Sequence, residues 1–245
     1  MAQAPAAAGA ALVQTRTRHV THVRLTLIDS FELSYDGEPA PLPLSSQRLV
    51  AYLALRGRPL LRIHVAGTLW LHASENRSYA NLRTALWRLG GSRQAVIEAT
   101  TSHVGLSRAV VVDVRRMTAL ARGLLEHPEH AGELESSELD GDILPDWYDD
   151  WVLVERERLR QLRLHALERL AEHAIGQARY GQAIDIALTA IQADPLRESA
   201  HRVLIRAYAA EGNGSLAIRQ YSRYCRIAST AGSCASSSSL SLIHI

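Results

Sequence analysis

Lysine is missing from this chain, and all 27 basic side chains are arginine. With abundant alanine and leucine, that absence matches the codon bias of a high-GC genome, so the arginine count alone says little about function. Cysteine occurs only twice, at Cys225 and Cys234. Two such residues make no disulfide framework, and a reducing cytoplasm is the expected compartment. No run of about 18 apolar residues occurs, so no membrane span is expected. The apolar opening, residues 1–14, lacks the positive leading segment and leucine-rich centre of a signal peptide, and residues 1–21 read as a disordered tail. No GxGxxG, Walker loop, HExxH or GxSxG element is present, and no poised nucleophile, base or metal set. An enzyme is therefore the least favoured class, and no cofactor or metal is expected.

What is present is unevenly placed. The formal net charge is +2, yet residues 1–112 carry 12 arginines against 6 acids, and residues 113–245 carry 15 against 19. A basic first half joined to an acidic second half favours a polyanion-binding unit attached to something else.

The first half reads as strands, then helices, then strands. VRLTLI and FELSY alternate like strands, with Asp36-Gly37 as a tight turn before a short third strand near Pro39–Leu44. A helix over Ser45–Arg56 is capped by Ser45 or Ser46, buries Leu49, Val50, Tyr52 and Leu53, and stops at Gly57. A second covers Leu61–Leu71, with Trp70 in the core. The third, SENRSYANLRTALWRLGG from Ser74 to Gly91, organises the rest. At 100° per residue, Tyr79, Leu82, Ala85, Leu86 and Leu89 fall on one side, and Arg77, Asn81, Thr84 and Arg88 form a stripe on the other. Ser74 or Asn76 caps its first turn, and Gly90-Gly91 end it. Such a helix docks its leucines on a small core and offers Arg and Asn, whose hydrogen-bond geometry reads guanine and adenine edges in the DNA major groove. An ordinary amphipathic helix with a solvated face fits the same pattern. Segments near Ala95–Ala99, His103–Leu106 and Val110–Val112 then alternate as strands of a small hairpin. This order is that of a winged helix, in which the third helix enters the major groove and the hairpin touches backbone or minor groove.

The base-contact candidates are therefore Arg77, Asn81, Thr84 and Arg88. Arg83, off to the side, and Arg48, Arg93 and Arg108, near a helix start and the hairpin, are phosphate candidates; a solvated rim is the plainer reading of these outer arginines. Trp87 flanks the stripe and is expected wedged against the hairpin or the second half.

From Asp113 the pattern is helical only. One run covers Arg115–Glu126, a polar acidic connection covers His127–Asp150, and helices follow at Trp151–Gln177, Tyr180–Ala193, Leu196–Glu211 and Ser215–Ala228. Leu170/Leu204, Ala174/Tyr208, Ala183/Ala217 and Ala187/Tyr221 repeat at 34 residues, and Asp194-Pro195 closes the first unit. That period matches tetratricopeptide stacking, whose concave groove suits protein contacts. The acids Asp140, Asp142, Asp146, Asp149 and Asp150 lack EF-hand spacing and read as a solvated connector. His127 and His130 have no cysteine partner and read as a surface loop, while His165 and His173 read as packing residues on their helix. Trp147 and Trp151 are expected to hold the connection against the helical domain. Residues 229–245 carry no helical period and read as a disordered or artefactual tail.

FELSYDGEPAPLPLSSQRLVAYLALRGRP (31–59), YANLRTALWRLGG (79–91), VVVDV (110–114), LPDWYDDWVLVERERLRQLRLHALERLA (144–171), GQAIDIALTAIQADPLRESAHRVLIRAYAAEGN (181–213) and AIRQYSRYC (217–225) together resemble the SARP-type bacterial transcriptional activators. The resemblance implies a mainly α fold. An OmpR-like, response-regulator-type winged helix (α+β) at 22–112 precedes an all-α, tetratricopeptide-like bacterial transcriptional activation domain at 113–228, shorter than in the family. It further implies sequence-specific binding of double-stranded DNA at promoter repeats as a homodimer, recruitment of RNA polymerase holoenzyme, control of secondary-metabolite (antibiotic) biosynthetic genes, and no catalysis. Leu61 stands where the family has a helix-capping serine, and Ile63 and Leu71 replace a polar residue and a proline. The competing class is a tetratricopeptide adaptor without DNA binding.

Overall fold

The computed structural model describes residues 22–90, 93–131 and 136–236, with backbone alone at 93–94, 130–131, 136–137 and 231–236. The expected tail at 1–21, Gly91 and residues 237–245 lie outside the described residues.

Two small sheets frame three helices. β1 (Val23–Thr26), β2 (Glu32–Tyr35) and β3 (Glu38–Pro39) form an antiparallel meander. Its second turn is Asp36-Gly37, both at positive φ (51° and 88°), the conformation a two-residue hairpin of matching twist requires. Val23, Leu25 and Leu27 point inward at alternate positions. Next come α1 (Leu44–Arg56), β4 (Leu60–Leu61), α2 (Arg62–Leu69), α3 (Glu75–Trp87), the single turn α4 (Arg93–Val96), β5 (Ile97–Ala99), β6 (His103–Leu106) and β7 (Val110–Val112). The hairpin sheet has the order β4-β6-β5. β7 does not join it, contrary to the sequence reading. It crosses to the first sheet and pairs parallel with β1, Val23 opposite Val110 and Leu25 opposite Val112. The alternation of Val110–Val112 is genuine, but alternation does not specify which strand is the neighbour.

None of the serines expected as caps makes a side-chain capping bond. α1 has Pro43 as its N-cap, and Ser46 Oγ instead donates to the Ala85 carbonyl of α3 at 2.9 Å, a buried bond between helices. Ser74 is the N-cap of α3 by backbone conformation without a side-chain bond. Six consecutive α1 residues, Leu49 to Ala54, are buried. A helix buried all round is covered on every side, and here part of the cover comes from the second half of the chain.

α5 (Asp113–Glu126) begins at the residue after β7. The 127–149 connection is not the solvated linker its composition suggests. It contains 3-10 turns at Pro128–Ala131 and Ser136–Leu139, and buries Leu139, Ile143 and Leu144. Ile28 and Ile143 form an antiparallel bridge, and Asp29 N–H donates to the Asp142 carbonyl at 2.7 Å. Gly141 (φ 99°) passes so close to β1 that an added Cβ would lie 2.2 Å from Ile28 Cγ2. α6 (Asp150–Gly176), α7 (Tyr180–Ala193), α8 (Glu198–Ala210) and α9 (Gly214–Ser236) then stack, each on the next. Ala171, Ala174, Ala183, Ala190 and Ala207 are buried where the helices meet. Of the 34-residue pairs, Leu170/Leu204 and Ala183/Ala217 are buried at both members, whereas Tyr221 is 60% exposed. α9 also runs to Ser236, past the tail boundary read at 229. One apolar cluster extends from Val23 to Leu204. No helix among the described residues is long and apolar enough to cross a membrane.

Candidate nucleic-acid interface

α3 owes its orientation to Leu82, Ala85 and Leu86, all buried, and to Leu89 just beyond its end. Ser78 is buried as well, its Oγ within 3.1 Å of the Ser74 carbonyl and 3.3 Å of the Trp70 carbonyl. A small hydroxyl here lets the α2–α3 turn close onto the helix. The inward face is thus centred nearer Ser78 and Leu82 than the leucines alone imply, and the outward face turns with it. Arg77, Thr84 and Arg88 are exposed, but Asn81 is half-buried at the edge. Asn76, Arg83 and Trp87 are exposed on the other side of Arg77. The stripe expected from sequence is therefore the border of the exposed arc and not its centre. Thr84 Oγ1 donates to the Ala80 carbonyl at 2.9 Å, which commits its proton within the helix. Gly90, at φ 64°, turns the chain out of the last turn.

Arg77, Arg83 and Arg88 form no ion pair among the described residues, and the only carboxylate on α3 is Glu75 in its first turn, where the helix dipole favours it. Trp87 is 79% exposed, which corrects the expectation that it is wedged against the hairpin or the second half. Trp70 is half-buried against the core.

The hairpin is fastened to α2. Arg62 N–H donates to the Ser102 carbonyl at 2.9 Å, and its guanidinium to the Thr100 carbonyl at 2.9 Å. Arg62, which the sequence reading passed over, fixes the tip. Arg108 is exposed, but it lies where the chain leaves β6, at the far end of the hairpin from that tip. The side chain of Arg93 lies outside the described residues.

Arg48 is placed differently from expectation. Its guanidinium is bound to Asp149 in an ion pair between α1 and the residue before α6. Arg56 and Glu155 form a second such bridge at 3.0 Å. Between them Tyr52 meets Trp151 edge-on, with ring centroids 5.2 Å apart, and Trp151 meets Trp147, which stacks on Phe31 at 6.0 Å. The two tryptophans thus hold the connection against the first half as well as starting the helical stack. Arg115 donates to the Ala54 carbonyl, and burial there pulls its guanidinium below the ordinary value. Asp113 accepts from Leu27 N–H, Ile28 N–H and Val114 N–H at 2.7–3.0 Å. Arg156 donates to the carbonyls of Ile143, Leu144 and Trp147, and the buried Arg163 is held by Asp140, Asp142 and the Gly141 carbonyl. Asp140 and Asp142 thus answer a buried cation, and among the described residues no His/Cys/Asp/Glu group is arranged to hold a metal.

An open cleft of about 1280 Å³ separates the α2–α3 turn from the start of α6. Ile63 and Arg77 stand on one wall, and Tyr148, Asp149 and Val154 on the other.

The parts are a winged helix followed by stacked helices, and comparison with known proteins finds both the second part and the whole architecture elsewhere. Residues 111–236 match the bacterial transcriptional activator domain. The fold is similar to that of EmbR from Mycobacterium tuberculosis, solved in complex with a low-affinity phosphopeptide. The two are 24% identical with a TM-score of 0.65, and the match covers 83% of this chain and 59% of that one. No curated protein sequence matches. The chain belongs to the bacterial transcriptional activator domain family, and it carries a winged helix ahead of that domain.

Proposed function

We propose that the chain binds double-stranded DNA sequence-specifically by laying α3 in the major groove. The observation that carries this is the exposed arc of α3, on which Arg77, Arg83 and Arg88, with no ion pair among the described residues, are held away from the core by buried leucines. Arg77 and Arg88 are the base-reading residues, with Asn81 and Thr84 beside them. Arg83 and Arg108 meet phosphates, as does Arg93. Arg48 joins them only when released from Asp149. The unit at 22–112 does the binding, and the helices of 113–228 supply the protein surface that recruits RNA polymerase. Two copies sit on paired promoter repeats of a biosynthetic gene cluster for a secondary metabolite such as an antibiotic, in the cytoplasm.

Duplexes selected from a random-sequence pool by the full chain, followed by titration at several salt concentrations, test this. A selected repeat is expected, bound with a steep salt dependence and weakened by Arg77→Ala by about 1–3 kcal/mol, the scale of one good base contact. An intact fold that enriches no sequence, or that binds without salt dependence, overturns the reading.

A further inference from the structure

Within the exposed arc of α3 the central positions are not basic. By helical geometry Trp87 projects about 80° from Arg77, between Thr84 and Arg83. Ala80, Thr84 and Trp87 follow at i, i+4 and i+7, one above the other, Thr84 and Trp87 exposed and Ala80 half-buried at their foot. Thr84 turns its hydroxyl proton back to the Ala80 carbonyl, so its methyl and an oxygen that can only accept remain for outside contact. Trp87 leaves 79% of its surface in water, although tryptophan is highly buried on average. The result is an apolar ridge roughly 10 Å long, flanked by Arg77, Arg83 and Arg88 and free of carboxylates.

The flanking charge commits the ridge to a polyanion. The ridge itself calls for an apolar feature on that polyanion, which in the DNA major groove is the thymine C5-methyl group. We propose that Ala80, Thr84 and Trp87 read thymine methyls, so that part of the chain's specificity is hydrophobic and centred on Trp87. This rests on the reading that α3 enters the major groove. At about 3.4 Å per base pair the ridge faces roughly three successive steps.

The test uses the full chain and duplexes it selects from a random pool, with each thymine replaced in turn by deoxyuridine, which removes only the methyl. Wild type is expected to bind about fourfold more weakly for each contacted methyl lost, the factor that burial of one CH₂-sized group gives. W87A is expected to bind thymine and deoxyuridine duplexes alike at the position facing the ring. Its melting temperature should match wild type, because the indole packs against little. W87F should retain part of the discrimination. Indifference of wild type to deoxyuridine at every position overturns the proposal while leaving DNA binding intact, and so does a W87A variant that keeps the full thymine preference. Enrichment of no duplex at all overturns the groove reading beneath it.

Discussion

Replacing Asp113 by alanine removes one carboxylate and leaves three backbone N–H groups without it. Val114 N–H, at 2.7 Å, lies in the first turn of α5, whose N-cap is Val112. Leu27 N–H and Ile28 N–H, at 2.9 and 3.0 Å, belong to the end of β1 more than 80 residues earlier in the chain. Taking the acceptor from one first-turn N–H of a helix costs about 1 kcal/mol. Leu27 is fully buried, and a buried donor left unpaired costs about 1–3 kcal/mol, with Ile28 contributing somewhat less because water reaches it. A destabilisation of about 3–5 kcal/mol follows, or roughly 10 °C in Tm at this chain length. Urea unfolding followed by circular dichroism measures it, and Asp113→Asn, which keeps one acceptor oxygen, should lose about half as much. A loss near 1 kcal/mol for the alanine variant would mean that Asp113 serves only the first turn of its own helix, and the argument that it ties α5 to β1 would be wrong.

Gly141→Ala forces a side chain onto a φ of 99° and against Ile28. It should destabilise by at least about 2 kcal/mol, seen as a lower urea midpoint with unchanged slope. Asp149→Asn releases Arg48, and in DNA titrations the salt slope should steepen by about 0.9 as one more phosphate contact becomes available. Leu204→Ala, at a fully buried repeat position, should cost about 2–5 kcal/mol by the cavity it leaves. Tyr221→Ser, at a repeat position 60% exposed, should change stability by about 0.5 kcal/mol or less in the same assay.

The sequence carried the periodic features well. The inward leucines of α3, the β1–β2–β3 meander and the three helices all depend on neighbours a few residues away, and spacing reports those directly. It failed where one partner lies far along the chain. Nothing local distinguishes Arg48, bound to Asp149, from Arg83, bound to nothing among the described residues. Likewise Val110–Val112 looks like a third hairpin strand until β1 takes it as a parallel neighbour. The rotation of the α3 face has a subtler source. Ser78 counts as polar in any hydrophobic pattern, but its hydroxyl is satisfied by nearby carbonyls, so it can be buried. The outward centre then shifts from Asn81 toward Trp87. A polar residue small enough to bond its own turn is the signal that would have found this.

β7 ends at Val112 and α5 starts at Asp113, with no spacer between them. With α3 seated in a groove, the helical stack would have one bearing around the duplex axis, set by the binding site alone. Shifting that site by five base pairs, about half a helical turn, would carry the stack to the opposite side of the promoter, whereas shifting it by ten or eleven would return it to the same side. Activation in such a promoter series should therefore rise and fall with the pitch of DNA and not decay smoothly with distance.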